Sequence, residues 1–229
     1  MFLTSRLHLV LWTALVAAAI SAGEPPAVSA MVHHHQHMVT RDGLTKDSRW
    51  SDRFLRSPGH VWIERVLPAT HVHEPEEAGG KHLHGEDWSS AARHLQITAD
   101  GEIRLEFVQP EDRVIYETET RDWPEVGFDG SWTIASHLLD PASLASLPYA
   151  SRKSPQPGLR WRERRDGQGF LRVLWSDRFQ LPLIIESGNA EGTRTQSTRI
   201  EIRPLPADAH MPWTRLGGFR RREYTDLLD

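Results

Sequence analysis

Thirteen histidines fall in a chain of 229 residues, and their clustering says more than their number. His71 and His73 form one His-x-His pair, His82 and His84 a second, and His33, His34, His35 and His37 crowd between Met31 and Met38. In an extended chain, residues i and i+2 point to the same side, so each pair can present two imidazoles to one ion. A turn at Gly79-Gly80 can bring the two pairs together as four nitrogen ligands. Imidazole suits zinc, copper and nickel, and the neighbouring Glu74, Glu76, Glu77, Glu86 and Asp87 can ligate the ion or orient the rings. The thioethers of Met31 and Met38 tilt the earlier cluster toward copper. This reading places a copper or zinc site on His71, His73, His82 and His84, with His33, His34, His35 and His37 as a second candidate. The plainer alternative is a solvated loop whose histidines meet divalent ions only adventitiously. A disordered cluster also loses affinity in ordering itself.

Other chemistry is sparse. The chain has no cysteine, which excludes thiol catalysis, thiolate metal sites and disulfide staples. There is no Gly-x-Ser-x-Gly elbow, no His-Glu-x-x-His and no phosphate-cradling glycine loop, so an enzyme finds little support. The formal net charge is −4, and Arg220-Arg221-Arg222 is the one basic run, which argues against nucleic acid as a partner. Nine tryptophans are many for four methionines. If several line a concave face they suit an apolar ligand, and otherwise they are core.

The elements that must position these groups begin after residue 22. Arg6 followed by the apolar run Leu7 to Ile20 and the small residues Ser21 and Ala22 reads as a signal peptide over 1–22. The run is shorter than the roughly 20 apolar residues of a membrane span, so the mature chain is expected in the periplasm without a stable span. Residues 23–49, with Pro25, Pro26 and the first histidine cluster, read as a flexible tether. Residues 50–229 read as a single β-rich domain. His60 to Leu67 alternates as a strand, and residues 69–87 are a polar loop. Asp100-Gly101 and Asp166-Gly167 mark tight hairpins, Asp140-Pro141 starts a short helix, and Thr198, Ile200 and Ile202 alternate with charged residues. One apolar and one charged face is the pattern of an antiparallel sheet wet on one side.

The stretch Leu174-Trp175-Ser176-Asp177, followed by Leu181-Pro182-Leu183-Ile184-Ile185-Glu186, resembles one in the periplasmic lipoprotein-carrier superfamily. That superfamily comprises the lipoprotein localisation factors and an anti-sigma-factor regulator of the same fold. The resemblance implies a curved antiparallel sheet, an incomplete barrel closed by short helices, whose hollow takes lipid or acyl chains. The fold expectation is thus mainly β with minor α. The functional expectation is a periplasmic binding or accessory protein for an apolar ligand or an envelope partner protein, with metal binding as the alternative.

Overall fold

The computed structural model describes residues 24–67 and 91–227. Their strands are β1 Val28–Val39, β2 Thr45–Ser57, β3 His60–Val66, β4 Ala92–Ile97, β5 Ile103–Gln109, β6 Val114–Thr118, β7 Leu159–Asp166, β8 Gly169–Ser176, β9 Leu181–Asn189, β10 Arg194–Arg203 and β11 Arg220–Glu223. They make one open sheet in the order β11-β6-β5-β4-β3-β2-β1-β10-β9-β8-β7. Only β11 with β6 is parallel, so the expected antiparallel meander holds nearly throughout. Two short helices, α1 Trp132–His137 and α2 Pro141–Ser146, interrupt it.

The tether expected over 23–49 is corrected by β1 and the start of β2. β1 is the most heavily paired part of the molecule: it meets β2 along one edge and β10 along the other over most of its length. Both rows of its backbone N–H and C=O groups therefore have partners, which a polar segment needs in order to be buried in a sheet. The alternation was hidden because histidines occupy both faces of the strand. Val28, Ala30, Val32 and His34 point one way, while Ser29, Met31, His33 and His35 point the other.

The strand period divides the sheet into two packed faces. On one, Val28, Ala30, Val32, Phe54, Val61, Leu95, Leu105, Tyr116, Leu181 and Ile200 form the largest core cluster. Trp132, Ala135 and Leu138 of the α1 region pack against it, and Leu144 and Leu147 of the α2 region pack on Val173. This face is concave. Ile63 of β3 and Ile185 of β9 line the same cavity of about 370 Å³ although three strands lie between them. At about 4.8 Å per strand a flat sheet would hold them roughly 19 Å apart.

Local chemistry shapes the cover over that face. The Ser131 hydroxyl accepts the Ile134 N–H at the start of α1, and Leu138 ends the helix in the left-handed region (φ 59°). Asp140 then caps α2 by accepting the N–H groups of Ala142 and Ser143, with Pro141 at the first helical position, as the sequence predicts. The reversal at Leu138 is what allows two six-residue helices to follow the curve of one sheet.

The opposite, convex face is crossed by the chain after β10. Because β11 joins β6, residues 204–219 must pass over β1 to β5. Trp213, Leu216 and Phe219 pack there on Leu55, Trp62, Ala92, Val108 and Ile115. Among the described residues no helix is long and apolar enough to cross a membrane.

Candidate functional site

The hollow between β3, β2, β1, β10, β9 and the α1 region is lined by apolar groups on one side. These are Val32, Phe54, Ile63, Leu138, Ile185 and Ile200. Each comes from the inward phase of its strand or from the turn that ends α1. Its other side is polar, with His34, Asp52, Ser187, Gln196 and Thr198. A volume of about 370 Å³ is at the small end for ligand sites, room for one chain or a few side chains.

The polar end is a closed set of contacts. His34 Nε2 lies 3.2 Å from Asp52 Oδ2, and its Nδ1 lies 3.1 Å from Thr198 Oγ1. Arg65 Nε donates to Asp52 Oδ1 at 2.6 Å. Trp50 stacks on His34 with ring centres 5.0 Å apart, and the Arg65 guanidinium lies over the same indole. Burial alone would raise the Asp52 carboxyl, but hydrogen bonds from His34 and Arg65 outweigh it and hold the group below the usual carboxylate range.

Thr198, His34 and Asp52 repeat the connectivity of a hydrolytic triad. The backbone beside Thr198, however, is paired on both edges, with β1 and with β9. Acyl transfer needs donors aimed at the developing oxyanion, and the backbone N–H groups at that point are committed to the ladders. What this arrangement does well is hold a fixed polar rim beside an apolar cavity.

Arg56 anchors the opposite end of the cover. It is 1% exposed, and its guanidinium donates to the carbonyls of Pro26 (2.9 Å), Ser136 (2.5 Å), Phe179 (2.6 Å) and Gln180 (3.5 Å). One side chain thus ties the entry to β1, the end of α1 and the β8–β9 turn. Burial draws it down to about 10, still cationic at neutral pH.

The histidines of β1 are divided by the strand period. His34 belongs to the hollow. His33, His35 and His37 lie on the convex side, where His33 Nδ1 meets Ser51 Oγ at 2.8 Å. His35 Nε2 and His37 Nδ1 meet the two oxygens of Asp47 at 2.7 and 3.1 Å. Those two hydrogen bonds, that of His35 first, hold the Asp47 carboxyl below its ordinary value. Met31 and Met38 fall on opposite faces, so they do not flank one ion. Among the described residues no group of three or more histidine, aspartate or glutamate side chains is placed to hold a metal ion. His71, His73, His82 and His84 lie outside the described residues, as does Trp88.

Sequence reasoning missed Asp52, Arg65, Thr198 and Leu138. The phase of β1 was the available signal, since Val32 and His34 share a side with Thr198 and Ile200 once the two strands pair.

No protein-family model matches the chain, and no curated protein matches it. Among solved structures it is similar to an uncharacterized conserved protein from Thermus thermophilus, with 7% identity over 86% of this chain and 91% of that one and a TM-score of 0.41. A LolA superfamily protein from Nitrosomonas europaea matches with 10% identity over 82% and 92% and a TM-score of 0.31. MucB, in its complex with MucA from Pseudomonas aeruginosa, matches with 13% identity over 79% of this chain and 53% of that one and a TM-score of 0.34. The chain therefore spans about half the length of MucB.

Proposed function

We propose that this chain is an exported envelope protein that holds an apolar ligand, an acyl chain or the apolar side chains of a partner segment, in the hollow of its sheet. The observation that carries the reading is the cavity of about 370 Å³, with six apolar residues on one side and the His34–Asp52–Thr198 rim on the other. An occupant that is apolar along its length and polar at one end leaves no buried polar group unpaired there. Export rests on residues 1–22 acting as a cleaved signal peptide.

The test is displacement of a fluorescent fatty acid from the purified chain, compared with Ile185→Arg. Ile185 lines the hollow and is only half-buried, so an arginine there occupies the cavity while the closed core stays intact. The reading expects saturable binding by the wild type and at least about tenfold weaker binding by the variant, which is about 1.4 kcal/mol. Equal binding by both, with the variant folded, counts against the hollow as the site.

A further inference from the structure

The convex face holds a buried histidine and a half-buried one beside it, neither used by the hollow. His60 Nδ1 lies 3.0 Å from His94 Nε2, and His94 Nδ1 lies 3.0 Å from Glu106 Oε2. His94 and Glu106 are 2% and 1% exposed. The segment crossing this face closes over them. Trp213 stacks on His60 with centres 4.8 Å apart and planes 3° from parallel, and reaches His94 at 6.0 Å. Arg221 Nη1 donates to Glu106 Oε1 at 2.8 Å and also pairs with Glu117.

We propose that residues 204–219 are a pH-sensitive strap, held to the convex face while the His60–His94 pair shares a single proton between its facing nitrogens and released when both rings are protonated. The hydrogen bond between the rings needs one N–H and one lone pair. One added proton can be shared across it. A second puts N–H against N–H and two positive charges about 3 Å apart, one of them on the His94 ring that is closed off from water.

The charged and titratable groups on the surrounding elements set the direction. Glu106 on β5 and Glu117 on β6 are both engaged by Arg221 of β11, and Arg104 on β5 adds a further positive charge. Glu64 on β3 accepts the Trp62 Nε1–H and an Arg53 N–H. His210 and Arg215 belong to the strap, and the Glu24 carboxylate accepts the Gly59 N–H beside His60. Burial would raise Glu106, but hydrogen bonds from His94 and Arg221 hold it below its ordinary value. It therefore stays ionised and keeps β11 in place. Burial first, then the charge of His94, lowers His60 from the ordinary 6.5, against a smaller opposing effect of Glu106. The strapped state therefore binds fewer protons than the open one. Docking is complete above pH 6.5 and is lost as pH falls toward the lowered value of His60. Lifting the strap uncovers Leu55, Trp62, Val108 and Ile115.

Hydrogen exchange on the full chain, corrected for intrinsic rates, reads this directly. Between about pH 8 and about pH 5, the amides of Met211, Thr214, Leu216 and Phe219, each bonded within the strap, are expected to lose at least about tenfold in protection. Those of Leu95 and Leu105 in the sheet are expected to hold. His60→Phe keeps a ring against Trp213 without a titrating group, and is expected to keep the strap protected at both values. Equal wild-type protection at both values overturns the proposal. So does loss of sheet and strap together, or a His60→Phe variant that opens like the wild type. If that variant does not fold, nuclear magnetic resonance titration of His60 and His94 in the wild type decides: a midpoint coinciding with strap opening supports the proposal, and a separate one overturns it.

Discussion

Replacing Arg56 by leucine tests whether one buried cation holds the cover on the hollow. The side chain is closed off from solvent, and its guanidinium donates to the carbonyls of Pro26, Ser136 and Phe179 at 2.9, 2.5 and 2.6 Å. A hydrogen bond to a charged group contributes about 1.5–3 kcal/mol net of desolvation when its acceptor is buried, as the Ser136 carbonyl is, and less where the bond is part-buried, as those to Pro26 and Phe179 are. Together they put the loss at about 2–4 kcal/mol. For a chain of this size each kcal/mol moves Tm by about 2–4 °C. Calorimetry should therefore show Arg56→Leu melting roughly 4–16 °C below the wild type, with Arg56→Lys in between because an ammonium cannot span the same carbonyls. A leucine variant as stable as the wild type would refute the claim that these carbonyls depend on Arg56.

Three further outcomes follow from the same geometry. Asp52, held below the usual carboxylate range by His34 and Arg65, contributes stability that is complete above pH 3.8 and lost as pH falls through its lowered value. Asp52→Asn should accordingly show a flatter acid-unfolding profile below about pH 4. Phe54→Ala removes a 0% exposed ring from the concave core and should cost about 3–5 kcal/mol in urea unfolding. Asp140→Ala removes the two N-cap hydrogen bonds of α2 and should lower the unfolding midpoint in the same assay, by less than Phe54→Ala does.

The strands were legible wherever one face is apolar and the other charged. The hairpins at Asp100-Gly101 and Asp166-Gly167, and the strand carrying Thr198, Ile200 and Ile202, are where alternation placed them. So is the helix that Asp140 and Pro141 begin. β1 was not legible, because polar residues on both of its faces mimic a disordered segment, and only its pairing with β2 and β10 explains them. The rim of the hollow failed for the same reason. His34, Asp52 and Thr198 are far apart in the chain and meet only when three strands are brought side by side. Taken as a run, His33 to His37 looks like one ligand cluster, whereas the strand period sends alternate rings to opposite faces of the sheet.

Isoleucine methyl resonances titrated with a medium-chain fatty acid probe the hollow itself. Occupancy there predicts shifts at Ile63, Ile185 and Ile200, which line the cavity, and none at Ile115, packed beneath Trp213 and its neighbours on the far side of the sheet. Shifts confined to Ile115, or none anywhere at saturating ligand, would contradict it.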